Sequence, residues 1–156
     1  MSEALVRIVP FAPGDAADFK ALNVEWLQRY FQVEPIDEEV LSAPDRILAA
    51  GGSIFMARSG DRNVGTVTLL HVGDGSYELT KMAVTPQWQG LGIARQLLTV
   101  AIDAWRALGG RHLYLESNSM LTPALTLYES AGFVHSPRPE GPSHYLRADV
   151  YMVYRG

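Results

Sequence analysis

Residues 79–98 read LTKMAVTPQWQGLGIARQLL, and this stretch decides the fold. It begins inside an apolar run, Tyr77–Val84, that is typical of a strand and that Pro86 ends. A glycine-rich turn, Gln89–Ala94, follows, and apolar residues then recur at helical spacing as far as Leu108. Glycines let the backbone approach a ligand closely, and the first turn of a helix presents unpaired N–H donors with a partial positive charge. The stretch therefore predicts a strand, an anion-binding turn and a helix.

Three phosphate-binding patterns compete for this turn. A Walker A loop ends in Gly-Lys-Ser/Thr, which Ile93, Ala94 and Arg95 do not supply. A dinucleotide fingerprint, G-x-G-x-x-G, needs a glycine where Arg95 stands. The third pattern, Gln/Arg-x-x-Gly-x-Gly/Ala, is met by Gln89, Gly92 and Ala94. If this pattern stood alone, the glycines could simply form a turn that ends a strand. Here a strand precedes the glycines and a helix follows them, which favours a phosphate-binding turn.

The rest of the chain alternates strand-like and helix-like segments. Seven strands are predicted: Val6–Phe11, Ser53–Arg58, Val64–Val72, Tyr77–Val84, His112–Ser117, Phe133-Val134 and Tyr145–Tyr154. The predicted helices run from Asp15 to about Phe31, from Asp37 to before Pro44, briefly up to Gly51, from Leu91 to Leu108 and from Asn118 to Ala131. Asp15 is expected to cap the first helix, and Pro35 is expected to break it. This order predicts an α/β (α+β) fold whose mixed sheet carries helices on both faces, with residues 1–156 as a single domain.

Composition and charge exclude several classes of protein. The 156 residues contain no cysteine, which rules out disulfides, thiolate metal sites and a cysteine nucleophile. The four histidines lack ligand-like spacing, so no metal site is expected. A formal net charge of −4 and the lack of a Lys/Arg cluster argue against nucleic-acid binding. No apolar run is long enough to span a bilayer and no secretory signal is evident at the N-terminus, so we expect a cytoplasmic protein with no membrane association.

Four features together make the sequence resemble the GNAT acetyltransferase superfamily. They are the strand ELTKMAV (78–84) followed by Pro86, the turn and helix QGLGIARQLL (89–98), the strand LYLESN (113–118) and the segment PALTLYESAGF (123–133). They follow one another in the order and spacing of that family. The resemblance implies a mixed, mostly antiparallel sheet of about six to seven strands, in which two parallel central strands splay apart. It also implies acetyl-CoA as the co-substrate.

The family assigns most of its cofactor contacts to the main chain. By resemblance, backbone amides from Leu91 to Arg95 hold the pyrophosphate, and Gln89 shapes the turn. Met82 and Val84 bond through their backbone to the thioester carbonyl and to the pantetheine, which lies beside the strand as an additional strand. Asn118 is expected to contact the pantetheine arm where the strands separate. The full set of implied cofactor contacts is Met82, Ala83, Val84, Gln89, Gly90, Leu91, Gly92, Ile93, Ala94, Arg95, Asn118 and Ala124.

Tyr128 and Glu78 are the candidate catalytic residues that the resemblance implies. The phenol of Tyr128 could protonate the departing thiolate, although periodicity alone would place this ring in the core, four residues after Ala124. Glu78 is the candidate base, acting directly or through water, but it could equally be a solvated or ion-paired carboxylate near Lys81. Glu116, on the neighbouring predicted strand, is a weaker candidate for the same role.

The acceptor pocket is expected to draw on the first helices and the last strand region. Trp26 and Tyr30 offer aromatic walls, and Arg147 could fork onto a substrate carboxylate; equally, the aromatics could be core and Arg147 solvated. The predicted function is transfer of an acetyl group from acetyl-CoA to a primary amine by direct attack in a ternary complex. The expected acceptor is a small molecule, namely an amino acid, an amine or a polyamine, or else a protein amine. The alternatives are a non-catalytic acyl-CoA sensor or an interaction module on the same fold. A homodimer through an exposed sheet edge or the C-terminal strand is left open.

Overall fold

The computed structural model describes residues 5–139 and 141–156, so the first four residues of the N-terminal segment considered for a secretory signal lie outside the described residues. The helices are α1 (Ala16–Tyr30), α2 (Pro35–Leu41), α3 (Pro44–Ala49), α4 (Ile93–Ala107) and α5 (Thr122–Ala131). The strands are β1 (Val6–Pro10), β2 (Ser53–Ser59), β3 (Arg62–Gly73), β4 (Ser76–Val84), β5 (His112–Ser117), β6 (Phe133–His135) and β7 (Val150–Tyr154). Two short 3₁₀ turns, Pro13–Asp15 and Pro86–Trp88, precede α1 and α4.

The strands of the described ranges form one sheet of seven, in the order β1-β2-β3-β4-β5-β7-β6. All neighbouring pairs are antiparallel except β4 and β5, which are parallel. The ladder between β4 and β5 ends at the pair Glu78 and Tyr114. Beyond it β4 continues to Val84 and β5 to Ser117 without pairing to each other, so the two strands splay apart. The predicted mixed, mostly antiparallel sheet with splayed parallel strands is confirmed.

Helices lie on both faces of the sheet, as predicted, and each face has its own apolar core. The α4 residues that pack on one face recur every three or four positions and so share one side of the helix. They are Ile93, Leu97, Leu98, Ala101 and Ile102. The other face carries α1, α2 and α3, whose buried apolar residues are Phe19, Leu22, Leu27, Leu41 and Ile47. Each such buried side chain contributes roughly 1.5–3 kcal/mol, so the splayed strands lie between two firmly packed layers.

The start of α2 and the cap of α1 differ from the sequence-based predictions. Pro35 is the first residue of α2, because a proline at this position lacks only an N–H that the helix would leave unpaired anyway. Two residues later, the Asp37 carboxylate accepts a hydrogen bond from the Glu34 backbone N–H at 2.9 Å. Asp15 does not cap α1 through its side chain, since its carboxylate pairs with Arg58 on β2 at 2.6 Å.

Two later elements begin further along the chain than predicted. α5 begins at Thr122 rather than at Asn118, whose side chain instead accepts a hydrogen bond at 2.8 Å from a backbone N–H two residues on. β7 begins at Val150 rather than at Tyr145. The residues before Val150 are held away from the sheet by the hydrogen bonds of Arg147, which are described below.

The edge strands of the sheet are β1 and β6. The C-terminal strand β7 is paired by β5 on one side and by β6 on the other, so it has no unpaired edge in the described sheet. A homodimer through an exposed sheet edge or through the C-terminal strand stays a prediction. In the part of the chain that the structure describes, no helix is both long enough and apolar enough to cross a bilayer.

Candidate functional site

The separation of β4 and β5 opens two cavities that meet between the sheet, α1 and α5. The larger, of about 380 Å³, runs along the end of β4 towards the glycine turn. The smaller, of about 90 Å³, lies between the ends of β4 and β5 and residues 145–148. Five side chains line both cavities: Trp26, Phe31, Met82, Leu121 and Tyr128. The two cavities therefore adjoin each other at these residues.

The larger cavity is mainly apolar and joins three parts of the chain. The end of β4 forms its wall on the sheet, and α5 forms the opposite wall. Residues of the glycine turn close its far end. The structure thus brings together six of the predicted cofactor residues: Met82, Ala83, Val84, Gln89, Ala94 and Ala124.

The glycine turn ends in a group of backbone donors. Gly90 and Gly92 have φ angles of 79° and 82°, in the left-handed region that favours glycine. The first helical hydrogen bond of α4 ends on the Gly92 carbonyl at 3.1 Å, so the amides of residues 93–95 precede the hydrogen bonds of the helix itself. The Gln89 side chain donates to the Val84 carbonyl at 3.0 Å and ties the turn to the end of β4. These amides form a donor group with a partial positive charge at one end of the larger cavity.

Three other predicted cofactor residues direct their side chains elsewhere. Leu91 is exposed, and Ile93 is buried in the core under α4. Arg95 donates to the Ser130 hydroxyl on α5 at 3.2 Å. Each of these three residues can therefore offer an anion its backbone N–H but not its side chain. This agrees with the main-chain roles that the resemblance implies.

Tyr128 lies on α5 where the two cavities meet. Its ring packs edge-on against Phe133, with centroids 6.1 Å apart. Burial raises the pKa of Tyr128 to about 12, so the phenol keeps its proton at neutral pH. The ring therefore contributes to the core, and it also lies where a proton donor to a thiolate in the groove would be needed.

Asn118 has both ends of its side chain engaged within the protein. Its amide N–H donates to the Arg147 carbonyl at 2.7 Å, and its oxygen accepts from the Met120 N–H at 2.8 Å. Asn118 lines the smaller cavity and is not part of the lining of the larger one. It holds residues 145–149 beside the end of β5, and its contact with a cofactor stays a prediction.

Glu78 belongs to the last residue pair of β4 and β5 before the strands separate. It is 8% exposed, and its carboxylate has no hydrogen-bond partner among the described residues. Burial and the negative charge of Glu116 raise the pKa of Glu78 to about 7, against the opposing effect of Lys81. Glu78 itself is not part of the lining of either cavity, whereas Glu116 lines the smaller one.

A buried cluster of charges beside the smaller cavity was missed by sequence reasoning. Asp37 is fully buried, and its oxygens accept from Lys81 at 2.6 Å and from Arg147 at two contacts of 2.8 Å. Arg147 also donates to Glu34 at 3.0 Å. Although burial by itself raises the pKa of a carboxyl group, hydrogen bonds from Arg147 and Lys81 lower the pKa of Asp37 to about 2. The cluster joins α2, β4 and residues 145–149.

An irregularity in β4 explains how Lys81 reaches this cluster. Between Thr80 and Ala83, β4 has one residue more than β3 opposite it, and Lys81 has a φ of 51°. This bulge turns the Lys81 side chain towards Asp37, where only 4% of it is exposed. A lysine inside an apolar strand could have indicated such a cluster from the sequence, because a buried ammonium group needs an acidic partner. Its partner lies 44 residues earlier, which the sequence alone does not reveal.

The three predicted acceptor residues lie around the cavities but differ in what they offer. The Trp26 ring lies 5.2 Å from that of Tyr30 and 5.9 Å from that of Phe31, so the three form an aromatic wall. Tyr30 lines the larger cavity only. Arg147 lines the smaller cavity and is partly exposed, while its guanidinium donates to Asp37; its contact with a substrate stays a prediction.

The segment from Ala50 to the end of β6 also identifies the family. Residues 50–135 match the model of the acetyltransferase (GNAT) domain. This range is more than half of the chain and contains the splayed strands, the glycine turn and Tyr128. The protein belongs to the GNAT acetyltransferase family. It is therefore a member of a family of acyltransferases.

Relatives of this GNAT protein occur in bacteria and eukaryotes. It is 34% identical to N-acetyltransferase YjgM of Escherichia coli over 76 residues, which are 49% of this chain and 46% of YjgM. It is 28% identical to N-acetyltransferase C1271.07c of Schizosaccharomyces pombe over 138 residues, which are 81% of this chain and 85% of the relative. N-alpha-acetyltransferase RimI of Mycobacterium tuberculosis is 39% identical over 102 residues, 64% of this chain and 63% of RimI. The chain thus spans less than half the length of YjgM and 41% of rat N-acetyltransferase 8F1.

Solved structures share the fold of this GNAT protein. A GNAT acetyltransferase of Staphylococcus aureus superposes with a TM-score of 0.87 at 18% identity, over 96% of this chain and 98% of the other. YncA of Salmonella typhimurium, solved with its cofactor acetyl-CoA, superposes with a TM-score of 0.76 at 19% identity, over 96% and 92%. At these identities the likeness establishes the fold.

Proposed function

We propose that this protein is an N-acetyltransferase that passes the acetyl group of acetyl-CoA to a primary amine by direct attack in a ternary complex. The observation that carries the proposal is that the end of β4, the glycine turn and Tyr128 line the larger cavity, which adjoins the smaller one at Met82 and Tyr128. Residues 1–156 would act as a single catalytic domain.

The donor would lie extended in the larger cavity. Its pyrophosphate would accept hydrogen bonds from the amides of residues 93–95, where the start of α4 favours an anion. Its pantetheine would run beside Met82–Val84, because the ladder with β5 ends at Glu78 and the edge of β4 beyond it can pair with an extended ligand. YncA of Salmonella typhimurium, solved with acetyl-CoA, and a Bacillus subtilis acetyltransferase, solved with CoA, have the same fold and support this arrangement.

The transfer forms one C–N bond and breaks one C–S bond. The neutral amine nitrogen would attack the thioester carbon at the junction of the cavities, and the Met82 N–H would donate to the carbonyl oxygen as that oxygen gains negative charge. Collapse of the tetrahedral intermediate releases the CoA thiolate, which takes a proton from Tyr128. The proton lost by the amine leaves through the base, and Tyr128 regains a proton from solvent.

Glu78 would act as the base through a water molecule. An alkyl ammonium has a pKa of about 10, so it must lose a proton before its nitrogen can attack. The pKa of Glu78 is raised to about 7 by burial and by Glu116, which makes its carboxylate a stronger base than an ordinary glutamate. Because Glu78 lies outside both cavity linings, a water beside Glu116 would carry the proton from the amine to it.

Two measurements test the proposal. In thermal unfolding, acetyl-CoA at about 100 times its Kd should stabilise the protein by about 2.7 kcal/mol, which raises Tm by roughly 5–10 °C. In a second assay, free thiol is followed while a panel of primary amines is incubated with acetyl-CoA. The absence of any thermal shift would refute donor binding. A thermal shift without thiol release from any amine would instead support the alternative of a non-catalytic acyl-CoA sensor.

A further inference from the structure

We propose that the acceptor is a small primary amine on an apolar carbon skeleton, with no carboxylate beside its amino group. This inference rests on the acetyl transfer proposed above and adds the chemical class of the second substrate. Three features of the smaller cavity carry it: the balance of charges around it, the apolar side chains of its lining, and a bridge between two chain segments beside it.

Both cations that line the smaller cavity in the described chain are already neutralised. Lys81 donates to Asp37 at 2.6 Å, and their side chains are 4% and 0% exposed. Arg147 donates to Asp37 at 2.8 Å and to Glu34 at 3.0 Å. Both cations also lie over the Tyr145 ring, at 4.6 and 4.7 Å from its centroid. A substrate carboxylate that drew either cation away would remove one of the two counter-charges of the buried Asp37, which is unfavourable.

The remaining charge beside this cavity is negative. Glu116 lines the cavity, and Glu78 lies close enough for the charge of Glu116 to perturb it. Arg138 approaches Glu116 at 3.4 Å, and Ser143 donates to it at 2.8 Å. Two carboxylates therefore share one cation, whereas the cluster around Asp37 has equal numbers of positive and negative groups. An ammonium group would complete the balance, and a carboxylate would add a like charge.

The rest of the lining favours an apolar skeleton. About half of the lining residues are polar, and the large apolar side chains among the rest could hold a carbon skeleton. These side chains are Trp26, Leu27, Phe31, Leu79, Met82, Leu115 and Leu121. Apolar walls with a few polar groups orient an aryl or alkyl amine through its ammonium end. A polyamine would need a second acidic group at a distance, and the described lining holds Glu116 as its single carboxylate.

A bridge joins two chain segments beside the cavity. The Leu146 N–H donates to Glu34 at 2.8 Å, and Arg147 donates to the other oxygen of the same carboxylate at 3.0 Å. These bonds join the connection between α1 and α2 to residues 145–148, which line the opposite side. A peptide acceptor would have to extend past this bridge, whereas a small amine would not. The bridge therefore favours a small amine over a peptide N-terminus.

Three acceptors of related size separate the effect of charge from that of bulk: phenethylamine, phenylalaninamide and phenylalanine. With acetyl-CoA and a thiol-release assay, kcat/KM for phenethylamine should exceed that for phenylalanine at least about 10-fold. Phenylalaninamide, which keeps the bulk of the carboxylate without its charge, should lie closer to phenethylamine.

Several outcomes of this experiment overturn the inference. A kcat/KM for phenylalanine that equals or exceeds that for phenethylamine does so. A peptide with N-terminal phenylalanine whose kcat/KM exceeds those of phenethylamine and phenylalaninamide does so as well. Thiol release from other amines but from none of these three overturns the inference alone. Thiol release from no amine at all overturns the proposed function as well, so the two failures are distinguishable.

Two variants test the charge argument directly. Glu34→Gln removes one negative partner of Arg147, so the kcat/KM ratio of phenylalanine to phenethylamine should rise at least about 3-fold at an unchanged KM for acetyl-CoA. Glu39→Gln, at an exposed position of α2, which follows Glu34, should leave the ratio unchanged. Glu116→Gln should raise KM for phenethylamine several-fold with a smaller effect on kcat. An unchanged ratio in folded Glu34→Gln, or an unchanged KM in folded Glu116→Gln, contradicts the inference.

Discussion

Replacing Glu78 with glutamine should stabilise the protein at pH 8 but not at pH 4.5. Burial and the charge of Glu116 raise the pKa of Glu78 from 4.5 to about 7, and the residue is 8% exposed. A carboxyl group with a raised pKa contributes stability that is complete below its unfolded pKa and is lost as the pH rises through its folded pKa. At 1.36 kcal/mol for each pKa unit, a shift of about 2.5 units corresponds to a loss of about 3 kcal/mol. Glutamine does not ionise, so the variant avoids this loss.

Unfolding followed by circular dichroism at pH 4.5, 6, 7 and 8 measures the effect. The difference in unfolding free energy between the two proteins should be near zero at pH 4.5 and about 3 kcal/mol in favour of the variant at pH 8, a Tm gain of roughly 6–12 °C. Glu39→Gln, at an exposed position of α2, is the control and should follow the unmodified protein. Parallel stability profiles for Glu78→Gln and the unmodified protein would mean that Glu78 ionises normally in the fold, and the reasoning would be refuted.

The same substitution should reduce acetyl transfer while it raises stability. Without the carboxylate, kcat/KM is expected to fall by about 10²-fold, and its rise with pH near 7 should disappear, because that rise reports the ionisation of Glu78. Thiol release measured between pH 5.5 and 8.5 checks this. A variant that keeps the full rise would exclude Glu78 as the base.

Three further substitutions have defined outcomes. Tyr128→Phe should lower kcat by about 10²-fold in the thiol-release assay with little change in the Kd of acetyl-CoA; an equal loss of binding would argue against an acid role. Asp37→Asn should destabilise the protein by about 3–5 kcal/mol in urea unfolding, because it leaves the buried Lys81 without its carboxylate and Arg147 with Glu34 alone. Asp61→Asn, at an exposed turn, should change little. Gly92→Ala, at a φ of 82°, should cost about 1–2 kcal/mol of stability and weaken CoA binding, unlike Gly14→Ala. Comparable unfolding midpoints for the two glycine variants would contradict this.

The elements that were predicted correctly are those whose information is local. The strand β4, the turn at Gln89–Ala94 and the helix α4 follow from apolar periodicity and from glycines at the positions that adopt positive φ. Pro35 shows where local reasoning misleads, because the same residue can end one helix or begin the next. The last strand was predicted too long for a different reason. Residues 145–149 have strand-like composition, but Arg147 binds Asp37, 110 residues away, and leaves the sheet.

The sequence by itself determined the fold class, the family and the glycine turn, since periodicity, glycine conformation and motif spacing are properties of neighbouring residues. The pairing of the charges around the smaller cavity, by contrast, follows from the folded chain. Lys81 and Arg147 look like free cations in the sequence, and folding places both on the buried Asp37. Burial beside Glu116 likewise changes Glu78 from an ordinary strand carboxylate into a group with a pKa of about 7. Desolvation and charge pairing depend on contacts between residues distant in the chain, so they appear only when the chain is folded.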